Sequence, residues 1–276
     1  MESKKILTVQ DISCYGQCSI TVALPILSAF GYETAILPSA ILSTHTSGFK
    51  NFTVHDLSDE IPLIIKHWKN EGIKYDVLYS AYLGEVKHID LVINIKKELL
   101  NENSLFLVDP VMGDNGKLYP AFTDEYVKAM KRLIKEADII IPNLTEACYL
   151  TDEIYKEKYD EKYILNILNK LNRLGAEKIV LTGISYKESF IGIASLINGE
   201  YRYYEHKKIS KSYHGTGDVY TSAFLGEYLK TNDINKAIEL AASFVVSSIE
   251  NTLDDPSHNY GVKFEPLLAQ YAGGKK

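Results

Sequence analysis

Residues 5–37 carry the pattern that decides the fold, with the sequence KILTVQDISCYGQCSITVALPILSAFGYETAIL. A short apolar run at 5–9 precedes a segment of helical period at about 19–30, and Gly31 separates that segment from a second apolar run at 33–37. Short runs rich in β-branched residues are typical of strands, and a glycine after the last helical position commonly ends a helix. The stretch therefore predicts a strand, a helix and a second strand.

The same alternation continues along the chain. Further elements are predicted from period and length, with helices near 58–71, 88–100, 124–135 and 161–174 and strands at 77–81, 105–108, 139–141 and 178–182. Strands that alternate with helices assemble into a parallel sheet with helices on both faces.

A hairpin interrupts this alternation. Asn198-Gly199 separates strand-like runs at 190–197 and 201–206, and this dipeptide is the strongest short hairpin signal. Two apolar helices follow at about 219–229 and 234–249. The predicted fold class is α/β, with a central, mostly parallel sheet, helices on both faces and an antiparallel edge hairpin.

Length and composition limit the possible functions. The 276 residues are 46% hydrophobic and 24% charged, which is ordinary for a globular protein, and we expect one domain covering 1–276. The net charge of −6 argues against binding to nucleic acid or to an anionic membrane. No run approaches the ~18 apolar residues of a membrane span, and three cysteines give no paired disulfide framework. We therefore expect a cytoplasmic protein.

A glycine-rich loop opens the first of the two C-terminal helices, in the run HGTGDVYTSAF at 214–224. Glycines let successive backbone N–H groups turn toward an anion, and the helix N-terminus adds a positive partial charge. Asp218 could take the proton of a substrate hydroxyl while Gly215, Thr216 and Gly217 stabilise a transferring phosphoryl group. These residues are equally consistent with a turn that ends in a helix cap.

Polar residues follow the predicted strands, where ligands of open α/β sheets bind. They follow five predicted strands and are Asp11, Tyr82, Asp109, Asp114, Asn143, Glu146, Thr182 and Gly183, with the glycine loop completing the set. Asp109 and Asp114, together with Glu146, offer hard oxygen ligands that suit Mg²⁺ beside phosphates. For Asp114 alone, a plain Asp114-Asn115-Gly116 turn is the simpler interpretation. The sequence contains neither a Walker motif nor the protein-kinase motifs.

Together these residues resemble the ribokinase-like superfamily and, within it, the pyridoxal kinase family, whose members phosphorylate vitamin B6 vitamers. The resemblance covers nearly the whole chain. It rests on five segments, which are 6–10 with Tyr15-Gly16, Ser43-Thr44-His45-Thr46, 108–114, 142–147 and 215–218. The last two are typical of the superfamily, and the first three of this branch.

The resemblance implies a role for each matched residue. Asp218 would be the base that acts on the 5′-hydroxymethyl group, and Gly215, Thr216 and Gly217 would form the anion cradle. The nucleotide, ATP, and Mg²⁺ would lie along Asp109, Asp114, Asn143 and Glu146, with Thr182 and Gly183 nearer the nucleotide. His45, Thr46 and Tyr82 would surround the pyridine ring. The family also implies a homodimer and possible assistance by K⁺.

One position departs from the family pattern, because Asp11 stands where typical members carry a serine. A carboxylate there would favour the cationic pyridoxamine, or would accept hydrogen bonds from the hydroxyls of pyridoxine. A loop carboxylate without ligand contact is the alternative. Two other functions stay open: a hydroxymethylpyrimidine kinase of thiamine synthesis, and a non-catalytic protein that binds a vitamer.

Overall fold

The structure is a computed structural model that describes residues 4–272. The chain divides into two compact units, the first formed by the residues up to Leu63 together with those from Ile209 onward, and the second by Ile64–Lys208. The expectation of a single domain stays a prediction.

Helices and strands alternate through most of the sequence, as predicted. In chain order they are β1 (Lys5–Ser13), α1 (Ile20–Ala29), β2 (Glu33–Leu42), β3 (Val54–Asp56), α2 (Ile61–Asn70), β4 (Tyr75–Ser80), α3 (Val86–Leu99), β5 (Leu100–Val108), β6 (Gly113–Asp114), β7 (Lys117–Leu118), α4 (Asp124–Ile134), β8 (Ile139–Ile140), α5 (Leu144–Thr151), α6 (Glu161–Arg173), β9 (Lys178–Ile184), β10 (Phe190–Ile197), β11 (Glu200–Lys207), α7 (Thr216–Thr231), α8 (Ile234–Leu253) and α9 (Glu265–Ala272).

In the first unit, β1 and β2 pair in parallel from Lys5 opposite Glu33, and β3 adds to β2 in antiparallel orientation. The register of β1 shifts between Gln10 and Ile12, so the strand is irregular at Asp11. Helix α1 packs against α7, and α7 packs against α8. Every residue of α7 from Val219 to Tyr228 is buried. The helix is therefore part of the core, and its packing fixes the position of its N-terminus.

In the second unit, the strands lie in the order β11-β10-β9-β8-β5-β4. The pairs β4/β5, β5/β8 and β8/β9 are parallel, whereas β9/β10 and β10/β11 are antiparallel. The turn of the last hairpin is Asn198-Gly199, and both residues have positive φ angles, 52° and 81°. The predicted fold class, a mostly parallel α/β arrangement with an antiparallel hairpin, is confirmed.

Several strands extend beyond their predicted ends. Strand β1 continues through Gln10, Asp11 and Ser13, all of which are buried. Asp11 therefore lies inside a strand and not after it, and the prediction was wrong on this point because polar side chains hid the strand. Strand β9 also extends further than predicted, to Ile184, so Thr182 and Gly183 are among its last residues and do not follow it. The apolar pattern of the sequence also does not predict β3, the hairpin β6–β7, α5 or α9, all of which are short.

Within residues 4–272, none of the helices is long and apolar enough to cross a bilayer.

Candidate active site

Gly215 forms the N-cap of α7 with φ 76° and ψ 0°. A side chain at this position would overlap the carbonyl oxygen of Gln17, and the left-handed backbone is itself unfavourable for residues other than glycine. The N–H of Val219 donates to the Gly215 carbonyl over 3.0 Å, so the helix begins directly at the loop. The glycine is thus needed to bring the loop backbone close to α7 and to the loop at Gln17.

Asp218 lies in the first turn of α7 and is half-buried. Burial raises its pKa to about 7, a backbone hydrogen bond from Ser19 lowers the pKa, and the charge of Asp11 raises it. A carboxylate with a pKa near neutrality can accept a proton and release it again at physiological pH. Asp218 therefore has the properties of a general base.

The Asp11 side chain is 3% exposed and lies in the same unit. Its carboxylate accepts a hydrogen bond from the Ser13 hydroxyl over 3.1 Å and another from the Ser19 side chain. Burial raises its pKa, and these two hydrogen bonds act in the opposite direction. The nearby Cys18 thiol is also buried, which together with the charges of Asp218 and Asp11 raises the pKa of the thiol.

The loop after β2 carries His45 and Thr46. His45 is buried, with its backbone N–H donating to the Tyr15 carbonyl over 3.2 Å, whereas Thr46 is exposed. Burial is the main cause that lowers the pKa of His45, followed by His214, whose ring centroid lies 5.6 Å away. The Nε2 atom of His45 is buried and has no hydrogen-bond partner among the described residues, so this polar atom is unsatisfied in the structure.

The second unit contains a separate corner at the start of α5. The Asn143 side chain accepts a hydrogen bond from the Glu146 N–H over 3.0 Å, and Glu146 accepts one from the Asn143 N–H over 2.8 Å. This reciprocal pair is a capping box. The other Glu146 oxygen accepts from the Met112 N–H over 3.2 Å. The structure brings Asn143 and Glu146 together, as predicted, but both carry structural hydrogen bonds.

The two other predicted metal ligands, Asp109 and Asp114, lie close enough to Glu146 to affect its ionisation. Burial raises the pKa of Glu146 well above its usual value, and the charges of Asp109 and Asp114 raise it further. Asp109 is buried, whereas Asp114 is exposed. Within the described part of the chain, no three His, Cys, Asp or Glu side chains form a group able to bind a metal on their own. A bound cation would thus need water or phosphate oxygens as additional ligands.

The turn that the sequence offered as the simpler interpretation of Asp114 is present. Asn115 and Gly116 have φ angles of 51° and 77° and connect β6 to β7. The Asp114 carboxylate accepts hydrogen bonds from the Asn115 N–H and side chain over 2.8 and 2.9 Å. Its exposure leaves lone pairs available, so the turn and a metal-binding role are compatible.

Three further predicted residues belong to the second unit. The Thr182 N–H donates to the Pro142 carbonyl over 2.9 Å, and Thr182 bridges to Asn143, so Thr182 lies beside the α5 corner. Gly183 is exposed with φ 75°, and a side chain there would meet nothing within 4 Å. Tyr82 follows β4, is half-buried, and packs on Phe122 with ring centroids 5.4 Å apart.

The sequence analysis missed residues that contact the predicted site. Ser19 contacts both Asp11 and Asp218, and His214, the first residue of the HGTGDVYTSAF run, lies beside His45. No sequence signal identified Ser19, because a serine before a helix is an ordinary N-cap. For His214, the sequence does contain a signal, because this residue directly precedes the glycine loop.

A glycine cradle before a helix that carries a half-buried acid with a raised pKa, on an α/β fold, is the arrangement of a phosphotransferase class. The chain belongs to the phosphomethylpyrimidine kinase family, whose model matches residues 39–263.

Known proteins resemble the chain over most of its length. The pyridoxal kinase structure from Lactobacillus plantarum is 32% identical, with 97% of this chain and 96% of that one covered and a TM-score of 0.89. A protein from Bacteroides thetaiotaomicron crystallised with pyridoxal is 34% identical, with 98% and 96% covered and a TM-score of 0.93. The hydroxymethylpyrimidine/phosphomethylpyrimidine kinase of Aquifex aeolicus is 30% identical, with 80% and 84% covered. The predicted resemblance to pyridoxal kinases is confirmed.

Proposed function

We propose that the protein transfers the γ-phosphoryl group of ATP to the 5′-hydroxymethyl group of a vitamin B6 vitamer, for salvage of pyridoxal 5′-phosphate. The observation that carries this proposal is the position of Asp218, a carboxyl group with a pKa of about 7 in the first turn of α7, directly after the Gly215–Gly217 cradle. The similarity to the Bacteroides protein crystallised with pyridoxal supports a vitamer as the alcohol.

The chemistry needs a base and a stabilised anion. Asp218 accepts the proton of the hydroxymethyl group as its oxygen attacks the γ-phosphorus. The backbone N–H groups of Gly215, Thr216 and Gly217 lie at the positive end of α7, where they stabilise the charge on the transferring group. Because this charge is greatest in the transition state, the cradle lowers the barrier more than it strengthens substrate binding.

The vitamer ring is bound by His45, Thr46 and Tyr82 in this proposal. The free Nε2 atom of the buried His45 offers a hydrogen-bonding group to a ring substituent. Asp11, a buried carboxylate close enough to influence the pKa of Asp218, favours pyridoxamine or pyridoxine over pyridoxal. A cationic amine gains a charge-assisted hydrogen bond there, whereas an aldehyde only accepts hydrogen bonds and cannot donate one.

The nucleotide would lie along Asn143, Thr182 and Gly183 in the second unit. Asp109, Asp114 and Glu146 fit a Mg²⁺ ion, because a divalent cation would relieve the repulsion among these carboxylates that raises the pKa of Glu146. When bound, the ion would supply charge neutralisation on the phosphate oxygens. We also propose that K⁺ assists, that the protein is a homodimer and that it is cytoplasmic.

A hydroxymethylpyrimidine kinase is the second candidate, and the similarity to the Aquifex aeolicus enzyme favours it. The same base and cradle could act on the hydroxymethyl group of a pyrimidine. A non-catalytic vitamer-binding protein is the third candidate, but a binding protein has no need for the Gly215–Asp218 combination.

The test is ATP-dependent phosphorylation of pyridoxal, pyridoxamine, pyridoxine and hydroxymethylpyrimidine side by side, with Mg²⁺ and K⁺ present. We expect kcat/KM for at least one vitamer to exceed that for the pyrimidine by at least about tenfold. A higher kcat/KM for the pyrimidine than for every vitamer would assign the protein to thiamine synthesis instead. Absence of turnover with all four, while a vitamer still binds, would support the non-catalytic alternative.

A further inference from the structure

Ser19 has a backbone conformation that is unusual for its residue type. Its φ is 52° and its ψ is −131°, a combination that glycine adopts readily but that is strained for other residues. Ser19 stands at the N-cap of α1, yet its side chain makes no capping hydrogen bond. A serine that is strained and does not cap its helix needs another account.

The contacts of Ser19 give that account. Its backbone N–H donates to the carboxylate of Asp218, and its side chain hydrogen-bonds to the carboxylate of Asp11. Ser19 is 4% exposed, so neither hydrogen bond competes with bulk water. One buried residue therefore connects the proposed base to the carboxylate of Asp11, the position at which the sequence departs from the resemblance to pyridoxal kinases.

We propose that Ser19 is a positioning residue, whose N–H orients the Asp218 carboxylate and whose hydroxyl holds the Asp11 carboxylate as an acceptor for a cationic vitamer. This inference rests on the proposed function, since it names the device by which the same site would select an amine. Glycine would relieve the strain but would remove the hydroxyl, which explains why a serine is useful here.

The neighbouring groups determine what the hydroxyl does. Within this unit, the titratable groups that face Asp218 are the Asp11 carboxyl on β1 and the Cys18 thiol before α1, and Asp11 also accepts from the Ser13 hydroxyl over 3.1 Å. Loss of the Ser19 hydroxyl leaves Asp11 with one side-chain donor fewer. A buried carboxylate with fewer donors binds a proton more tightly and so loses the charge that attracts an amine.

Three variants test the role of the Ser19 hydroxyl. Ser19→Ala removes the hydroxyl and keeps the strained backbone, Ser13→Ala removes the other donor to Asp11 without touching Ser19, and Ser19→Gly removes both the hydroxyl and the strain. We expect Ser19→Ala and Ser13→Ala to raise KM for pyridoxamine about tenfold at neutral pH, with kcat changed less than about threefold and KM for pyridoxal unchanged. Ser19→Gly should lose the same selectivity but unfold at a higher temperature than Ser19→Ala.

A second measurement does not depend on the reaction. In thermal unfolding, the Tm of Ser19→Ala should fall increasingly below that of the wild type as pH rises above the usual pKa of an aspartate and through the raised pKa of Asp11 in the folded protein, because Asp11 must then ionise without its donor. At the acid end a protonated Asp11 needs the hydroxyl less, so the two Tm values should converge. A purely structural hydroxyl would give a Tm difference independent of pH.

The outcomes keep this inference distinct from the proposed function. Equal KM changes for pyridoxamine and pyridoxal in Ser19→Ala, or a pH-independent Tm difference, would overturn the role of Ser19 even if the wild type phosphorylates vitamers. Failure of the wild type to phosphorylate any vitamer would reject the proposed function. In that case a pH-dependent Tm difference would still support the hydrogen bond from Ser19 to Asp11.

Discussion

Asp218 in α7 and Glu146 in α5 both lie in the first turn of a helix, but their surroundings differ. Glu146 accepts backbone N–H groups on both carboxylate oxygens, and its N-cap Asn143 completes a reciprocal pair. Asp218 follows a glycine N-cap that has no side chain, and it receives a backbone hydrogen bond from Ser19. Burial raises the pKa of both acids.

The two carboxylates differ in how far their oxygens are already engaged in structural hydrogen bonds. A carboxylate whose two oxygens hold a helix and a loop together contributes chiefly to stability. A carboxylate with fewer structural partners and a pKa of about 7 can exchange a proton at little cost to the fold. Position on a helix is thus the same in the two cases, and the hydrogen-bond partners separate Glu146, which caps its helix, from Asp218, the proposed base.

The largest expected effect tests the catalytic side of this comparison. Asp218→Asn keeps the shape of the side chain and removes the base, so we expect kcat for the best vitamer to fall at least ~10²-fold with nearly unchanged binding. Steady-state kinetics and vitamer binding by calorimetry measure the two quantities. Glu227→Gln is the matched control, because Glu227 is a buried acid on the same helix, and kcat should change less than about threefold. A variant Asp218→Asn that keeps most of its turnover would refute the assigned role.

The stability of Asp218→Asn gives a second result for the same variant. The pKa of Asp218 is raised from 3.8 to about 7 in the folded protein, so its protonated form favours folding. That contribution is present below about pH 4 and is lost as pH rises through about 7. We therefore expect Asp218→Asn to be at least as stable as the wild type at pH 8, as measured by chemical denaturation. A clear loss of stability there would indicate a structural role.

The structural side of the comparison predicts the next effect. Glu146→Ala leaves two buried N–H groups, those of Asn143 and Met112, without their acceptor, and should lower the free energy of unfolding by about 2 kcal/mol. Glu161→Ala is the control, since Glu161 is an exposed acid in the first turn of α6, and it should change stability by less than about 0.5 kcal/mol. Equal effects in urea denaturation would show that the capping box is not what Glu146 supplies.

The smallest effect concerns the cap itself. Asn143→Ala removes the hydrogen bond to the Glu146 N–H, which should cost about 1 kcal/mol. Thr123→Ala is its counterpart, because Thr123 is the N-cap of α4 but makes no side-chain capping hydrogen bond. We expect Thr123→Ala to be closer to neutral in the same denaturation experiment. A reversed order of the two variants would contradict the geometry at α5.

The sequence was sufficient for the long elements and for the glycine loop. Periodicity identified α1, α4, α6 and α8, because their apolar positions repeat over many residues, and the Asn198-Gly199 dipeptide identified the hairpin. It failed where polar residues are buried in strands, as at Asp11, since a carboxylate inside β1 has no local signature. It also missed α5, which is only eight residues long and depends on the capping box for its start.

The candidate site, like the fold, could be predicted from the sequence only in part. Sequence position brought Asp218 and Glu146 into one set of polar residues, but their different roles depend on contacts with residues distant in the chain. Ser19 reaches Asp218 across 199 positions, as the residue numbers give, and such a pairing requires the folded structure. The strain at Ser19 is likewise a backbone property that the serine itself does not reveal.

The most direct test of the central claim is the pH dependence of kcat/KM for the best vitamer. Since Asp218 must be deprotonated to accept the hydroxyl proton, activity should rise with pH through an acid limb near pH 7, and the residual activity of Asp218→Asn should lack that limb. An acid limb near pH 4, or the same limb near pH 7 in Asp218→Asn, would contradict the assignment of Asp218 as the base.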